Sequence, residues 1–162
     1  MNRILLVLLL LSACFIGCKK TNDGVAIYKA QAAVDDKIVS NYLKTNGIPE
    51  LHVDTSGVCY KIDTLGSGND LYTSSTQVTV GYVGSLLTTG KVFGQTDKFH
   101  PSYTLGSVIL GWQLGIPQVK KGGTVTIYLP SRYAYGPYAQ PNLGLPAHAI
   151  LIFTIKVYNV TN

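Results

Sequence analysis

Three stretches in the C-terminal part of the chain decide the fold: LGSVILGW at residues 105–112, AYG at 134–136 and LPAHAILIF at 145–153. The first stretch is too short and too rich in glycine for a long helix. One or two helical turns are predicted there, ending before Pro117, because proline cannot continue a helix. The last stretch leads into a strand whose inner face carries Leu151, Phe153, Ile155 and Val157 at alternate positions.

The same period of two recurs in three segments that precede this final strand. Alternation of apolar with polar or small residues is typical of strands that bury one face. The apolar positions are Val58, Tyr60 and Ile62; Val78, Val80 and Tyr82; and Val125, Ile127 and Leu129. Together with the short helix they predict an α+β domain in which an antiparallel β-sheet wraps around one α-helix.

The region that holds these strands carries very little ionisable chemistry. From residue 76 to the end of the chain the only carboxylate is Asp97, there is no cysteine, and the only histidines are His100 and His148. Hydrolysis, metal catalysis and phosphoryl transfer all depend on clusters of such groups. The sequence therefore argues against those enzyme classes, and we expect no metal site.

Charge is unevenly distributed over the 162 residues, whose formal net charge is +5. Residues 19–75 carry six Lys/Arg against seven Asp/Glu, whereas residues 76–162 carry six against one. The positive charge is diffuse, and no basic run exceeds Lys120-Lys121. A solubilising surface is the expected role of this charge, and no nucleic-acid partner is predicted.

An amphipathic helix is predicted over residues 26–44, after a polar, turn-like linker at Asn22 to Gly24. Its apolar positions recur every three or four residues, and Asn46-Gly47 is typical of a helix end. Such a stripe usually packs on its own domain, although a dimerisation or client-binding arm would use the same pattern. The stripe consists of Ile27, Ala30, Val34, Ile38 and Tyr42.

The N-terminus resembles the signal peptide of a bacterial lipoprotein. A positively charged start precedes an apolar run from Ile4 to Leu11 that is too short to span a bilayer comfortably. Small residues then precede Cys14 and again Cys18, as in the lipobox whose cysteine is acylated. Cys18 is preferred because polar residues follow it, although Cys14 fits the usual box slightly better. An ordinary cleaved signal or an N-terminal membrane anchor is the alternative.

The order of the C-terminal signatures resembles that of the FKBP-type peptidyl-prolyl cis-trans isomerases, over roughly residues 57–162. Together with the N-terminal signals, this resemblance predicts a signal peptide at 1–17, a linker and helix at 18–56 and an isomerase domain at 57–162. It also implies an aromatic pocket that accelerates rotation of X-Pro bonds and needs no cofactor. Because Cys59 is the only cysteine outside the signal, no internal disulfide is expected if Cys18 is acylated.

The resemblance assigns individual roles to nine residues. Trp112 is similar to the indole of the pocket floor, and the Ile109 backbone N–H and the Tyr135 hydroxyl correspond to donors that reach substrate carbonyls. These three are the predicted catalytic residues. The predicted substrate-binding walls are Tyr82, Phe93, Tyr103, Val108, Leu145 and Phe153.

Three positions depart from the family pattern. Gly94 stands where active members usually carry an aspartate after the phenylalanine, Pro101 where another aromatic is common, and Gly144 where a bulky aliphatic often lines the loop. The predicted pocket is accordingly wider and less closed, and the missing aspartate removes an acceptor at its rim. Asp97, three residues on, is not expected to replace it.

The resulting hypothesis is a lipid-anchored isomerase of the bacterial cell envelope, on the periplasmic face or at the outer membrane. Its expected partners are proline-containing unfolded or exported polypeptides, and the membrane through its anchor. An FKBP-like binding module with little or no turnover is the main alternative. A surface lipoprotein with a carbohydrate-binding cleft is a more distant one, since sugar hydroxyls need carboxylates and amides that this region lacks.

Overall fold

A computed structural model describes residues 22–162. Helix α1 spans Asn22–Thr45, so Asn22 to Gly24 belong to the helix and the expectation of a turn-like linker there is wrong. The chain divides into two compact units at Gln31 and Ala32, and the fold described below is that of residues 32–162. Cys14, Cys18 and the predicted signal peptide lie outside the described residues. Within residues 22–162 no helix combines the length and the apolar character needed to cross a bilayer.

A seven-stranded antiparallel sheet forms the body of the domain. In spatial order six strands run β1, β2, β6, β7, β3 and β4, and β5 pairs with β3. The long strands β3 and β7 are paired over ten positions and form the centre of the sheet. The strands are β1 (Leu51–His52), β2 (Cys59–Thr64), β3 (Gln77–Leu86), β4 (Val92–Gln95), β5 (Ser102–Thr104), β6 (Thr124–Leu129) and β7 (Leu151–Thr161).

The inner face of this sheet is the apolar face that the alternating pattern predicts. The alternate positions of β6 and β7, and Val78 and Val80 of β3, are all buried in one core cluster. Neighbouring antiparallel strands present their alternate residues to the same side, so these side chains form a continuous layer. The antiparallel α+β architecture around a short helix is therefore confirmed.

The short helix that this layer covers is α2 (Leu110–Gly115), followed by a 3₁₀ turn that contains Pro117. Gly111 and Gly115 lie one turn apart on the face that meets β6. A Cβ atom at Gly111 would come within 2.4 Å of Leu129, and one at Gly115 within 2.5 Å of Ile127. Glycine at both positions lets the helix approach the sheet closely, and the helix holds Trp112 between them.

Helix α1 buries a face that is shifted by one residue from the predicted stripe. Asp35, Val39 and Leu43 are buried, and Val39 and Leu43 pack in a second apolar cluster with Cys59, Leu87, Tyr128 and Ile150. Ile38 and Tyr42 of the predicted stripe also pack against this cluster. Val34 is 51% exposed, and the buried position beside it is the carboxylate of Asp35, which an apolar pattern cannot detect.

The buried carboxylate of Asp35 has a specific partner in the loop after β6. Its Oδ2 accepts hydrogen bonds from the backbone N–H of Ser131, at 2.9 Å, and from the Ser131 hydroxyl. The next residues pair as well, since Asp36 forms an ion pair with Arg132 at 2.8 Å. Helix α1 thereby fixes the start of the loop that leads to Tyr135.

Candidate active site

A cavity of about 360 Å³ opens between α2, the strands β3 to β5 and the loop after β6. Trp112 and Phe153 are the two buried residues of its lining and therefore form its base. The full lining is Tyr82, Phe93, Gly94, Tyr103, Ser107, Val108, Ile109, Trp112, Tyr135, Leu143 and Phe153. None of these side chains carries a carboxylate, an amine or an imidazole.

The walls are built from aromatic rings packed edge to face around the base. Trp112 meets Phe153 with ring centroids 5.3 Å apart at 90°, and meets Tyr82 at 5.1 Å and Tyr103 at 5.8 Å. Phe93 meets Phe153 at 5.5 Å and 89°. This T-shaped geometry is the favoured one for aromatic pairs and fixes each ring by its neighbours. The cavity is therefore a rigid apolar recess.

Glycine at position 84 leaves room for two of these rings. Gly84 lies on β3 opposite Gly94 of β4 and Phe153 of β7. A Cβ atom built on Gly84 would lie 2.7 Å from the Phe153 ring and 2.8 Å from the Phe93 ring. The wall on this side thus depends on a residue that does not line the cavity and that the sequence did not single out.

Two hydrogen-bond donors flank the apolar recess. Ile109 precedes α2 in extended conformation, and its carbonyl accepts from the Trp112 and Gln113 N–H groups. Among the described residues, no acceptor is found for the Ile109 N–H itself. The Tyr135 hydroxyl belongs to the opposite loop, and burial, with a contribution from Tyr82, raises the pKa of Tyr135 above its ordinary value. That phenol therefore stays protonated and able to donate.

Tyr103 and Tyr82 form a polar pair within the aromatic wall. Burial raises the pKa of Tyr103, and the proximity and hydrogen bond of Tyr82 raise it further. The indole Nε1 of Trp112 is buried and has no hydrogen-bond partner among residues 22–162. A ligand carbonyl entering the cavity would thus meet N–H and O–H donors without any charged side chain.

The structure brings together eight of the nine residues that the resemblance assigned. The exception is Leu145, which is 3% exposed and lies in the core cluster, outside the cavity lining. Leu143, two residues earlier, is 37% exposed and lines the cavity in its place. The two differ because Gly144 takes a left-handed conformation with φ 66° that reverses the chain between them. Ser107 is the other lining residue that sequence reasoning missed, although it directly precedes the predicted pair Val108-Ile109.

The remaining polar candidates lie away from the cavity. Asp97 and His100 line a separate depression on the other side of β3, where His100 stacks on Tyr158 with ring centroids 3.8 Å apart. Pro101 lies outside the cavity lining, and its carbonyl accepts from the Val80 N–H. Asp97 therefore does not supply the rim acceptor that Gly94 lacks.

A model of the FKBP-type peptidyl-prolyl cis-trans isomerase family matches the chain over residues 68–158, a range that contains every residue lining the cavity. The chain belongs to the FKBP-type peptidyl-prolyl cis-trans isomerase family. Among its relatives is FK506-binding protein 1 of Candida glabrata, 35% identical over 62% of this chain and 91% of that protein.

Bacterial relatives include the FKBP-type isomerase FkpA of Buchnera aphidicola from Schizaphis graminum, 38% identical over 67% of this chain and 42% of that protein. The crystal structure of FkpA from Escherichia coli superposes with a TM-score of 0.68 at 28% identity, covering 84% of this chain and 63% of that one. The chain thus spans less than half the length of the Buchnera relative.

Proposed function

We propose that the protein accelerates cis–trans rotation of X-Pro bonds in polypeptides. The observation that carries this proposal is the aromatic cavity with Trp112 at its base and uncharged donors at its sides. Rotation about an X-Pro bond is slow because the twist breaks C–N resonance, at a cost of about 18–20 kcal/mol. Lowering that barrier requires no nucleophile, base or metal, which agrees with a lining that contains none.

Desolvation supplies the proposed driving force. A planar amide is strongly dipolar and a twisted amide is less so, and transfer from water to an aromatic recess therefore disfavours the planar state more. The proline ring would pack on Trp112 between the walls of Tyr82, Phe93 and Phe153. The rigidity of these rings limits the reorganisation needed at the moment of rotation.

The two donors hold the flanking carbonyls, and this decides which bond turns. The Ile109 N–H lies directly before α2, and the Tyr135 hydroxyl belongs to the loop after β6. In this proposal they hold carbonyls on either side of the proline. When the carbonyls on both sides of the proline are held, binding also orients the one bond that rotates. The roles of all nine assigned residues are part of this proposal.

A protease-coupled isomerisation assay with the full-length chain tests the activity directly. Peptides that vary the residue before proline report both rate and preference. We expect acceleration that is lost when the cavity is blocked by Val108→Trp, while Leu71→Trp, at a 77% exposed position outside the cavity lining, serves as the matched control. No acceleration with any peptide would contradict the proposal.

A binding module is the second candidate, and a specific surface feature favours it. Phe99, between β4 and β5, is 78% exposed, and Tyr138, three residues after Tyr135, is 72% exposed. Exposed aromatic residues on loops suit capture of unfolded chains. Because Trp112 is the only tryptophan, its fluorescence reports occupancy of the cavity. A change in Trp112 fluorescence when a proline peptide is added, without faster isomerisation of that peptide, would favour the binding module.

We further propose that the protein works in the bacterial cell envelope, held by a lipid on Cys18 or, alternatively, on Cys14. Similarity to bacterial FkpA proteins supports a periplasmic location, and the two small-residue boxes support acylation. Mass spectrometry of the mature N-terminus, compared between Cys14→Ser and Cys18→Ser, identifies the modified residue. An unmodified mature chain in both variants would contradict the lipid anchor.

A further inference from the structure

A cluster of three metal-binding side chains lies at the β1 edge of the sheet, and none of the three lines the aromatic cavity. Glu50, His52 and Cys59 each offer one ligand atom, and these atoms lie within 4.8 Å of one another. His52 and Cys59 are direct cross-strand partners of β1 and β2, and Glu50 is two residues before His52. The pleat places such positions on one face of the sheet. The convergence is therefore fixed by the register of two strands.

The separations between the donor atoms suit a single ion. The His52 Nε2 lies 3.3 Å from the Glu50 Oε1 and 3.9 Å from the Cys59 Sγ. Ligand bonds of 2.0–2.3 Å at tetrahedral angles place donor atoms about 3.3–3.6 Å apart. The first separation falls in that range and the second exceeds it by about 0.3 Å. The third, between the Glu50 oxygen and the Cys59 sulfur, is within 4.8 Å, so the exposed Glu50 side chain has to move towards the sulfur when an ion binds.

A second layer of groups supports the cluster. The Ser40 hydroxyl of α1 donates to the other carboxylate oxygen of Glu50 at 2.9 Å, leaving Oε1 to face His52. Hydrogen bonds of this kind orient ligands in metal sites. His52 and Glu50 are exposed, which gives an ion a path from solvent.

The same three residues do not form a hydrolytic triad. The Cys59 Sγ lies 3.4 Å from the His52 Nδ1, as a nucleophile and its base would. Cys59 is however only 1% exposed, and burial, with Glu50 and Asp36, raises the pKa of its thiol to about 12. A substrate could not reach the sulfur, whereas an ion approaching from the His52 side could.

We propose that Glu50, His52 and Cys59 form a binding site for a divalent transition-metal cation of the zinc class. The ion takes a carboxylate oxygen, an imidazole nitrogen and a thiolate, and the thiol proton is released to solvent on binding. Thiolate and imidazole ligands select zinc-like ions over Mg²⁺ and Ca²⁺. With three protein ligands the fourth position remains for water. Bound metal would join β1, β2 and, through Ser40, helix α1.

Cobalt(II) binding tests the site in the full chain carrying Cys14→Ser and Cys18→Ser, which leaves Cys59 as the only thiol. We expect a thiolate-to-cobalt charge-transfer band that Zn²⁺ abolishes by displacement, and a higher melting temperature with Zn²⁺. His52→Gln should weaken Zn²⁺ binding by about 100-fold or more, and Ser40→Ala by about tenfold.

The matched control is His148→Asn, at an exposed position whose left-handed φ of 56° asparagine tolerates. It should leave both the band and the affinity unchanged. Cys59→Ser should abolish the band, and His52→Gln, an exposed substitution, decides the matter if Cys59→Ser does not fold. Absence of the band in the parent, or equal weakening by His52→Gln and His148→Asn, would overturn the proposal.

Discussion

A Cβ atom built on Gly94 would lie 4.0 Å from the Tyr82 hydroxyl and 3.9 Å from the Cε2 of that ring. Both are ordinary van der Waals contacts, and the backbone of Gly94 does not require positive φ. A side chain therefore fits at the rim of the cavity, directly beside a phenol that can donate a hydrogen bond. The aspartate of the family pattern would therefore fit at position 94, and steric crowding does not explain the glycine found there.

Gly94→Asp should accordingly restore a rim acceptor without loss of stability. We expect turnover in the coupled assay to rise by about two- to tenfold, the usual worth of one hydrogen bond. The matched control Gly94→Ala adds the Cβ atom without the acceptor and should leave turnover unchanged. Equal behaviour of the two variants would mean that the missing carboxylate does not limit the activity.

Gly84→Ala, on the strand opposite, should have the contrary effect. Its methyl group would collide with the Phe93 and Phe153 rings at 2.7–2.8 Å, and overpacking of this kind costs about 1–3 kcal/mol. We expect a lower melting temperature and weaker peptide binding, measured by Trp112 fluorescence. Gly94→Ala, on the paired strand, is again the control. An unchanged affinity would show that the two rings can shift freely.

Tyr135→Phe should lower turnover modestly and leave stability nearly unchanged. The substitution removes one oriented donor but retains the ring, and the loss of about 0.5–1.5 kcal/mol corresponds to a reduction of two- to about tenfold. Tyr138→Phe, on the exposed part of the same loop, controls for a general effect of losing a hydroxyl. A Tyr135→Phe enzyme as active as the parent would remove this donor from the mechanism.

Asp35→Ala should loosen the loop that carries Tyr135. It leaves the Ser131 N–H and hydroxyl without their acceptor in a buried place, which costs about 1–3 kcal/mol. Asp36→Ala breaks only the half-exposed ion pair with Arg132 and should cost about 0–1 kcal/mol. Chemical denaturation separates the two variants, and hydrogen exchange of residues 131–136 reports the loop. Equal costs would contradict the anchoring role of Asp35.

Stability should fall steeply in alkaline solution. Burial is the largest cause that raises the pKa of Tyr72 and Tyr128 to about 12, and that of Tyr103 and Tyr135 above their usual 10. Between about pH 10 and pH 12 these tyrosines lose protons in the unfolded chain but retain them in the folded chain. Unfolding therefore becomes more favourable as pH rises. Burial is likewise the largest cause that raises the pKa of the Cys59 thiol from 9.0 to about 12. We therefore expect a constant free energy of unfolding up to about pH 9 and a decline from there towards pH 12. A stability independent of pH over that interval would contradict these shifts.

The fold follows from patterns that the sequence displays directly, since alternation in β6 and β7 indicates which face of the sheet is buried. Such features are local, because the period of a strand or of a helix can be recognised within the segment itself. The prediction of Trp112 and the other site residues rests on the family resemblance and not on a local pattern.

What the sequence could not provide depends on contacts between distant segments. The burial of Asp35 on α1 could not be predicted, because its carboxylate accepts hydrogen bonds from Ser131, 96 residues away in the sequence. Leu143 lines the cavity where Leu145 was expected, because Gly144 adopts a left-handed conformation between them. Glycine permits this conformation but does not require it. The cluster of His52 with Cys59 arises from strand register, since β1 is two residues long and shows no period.

The two glycines of α2 have a consequence for the capacity of the binding cleft. Helix α2 contacts β6 through Gly111 and Gly115. Because glycine has no side chain, the helix lies close to the sheet, and this short separation determines how far Trp112 lies from β6. A methyl group at either glycine would collide with Leu129 or Ile127 and push the helix, with its indole, away from β6. Homologous proteins can therefore acquire different preferences for bulky or small segments at two sites that no ligand touches, with every wall residue unchanged.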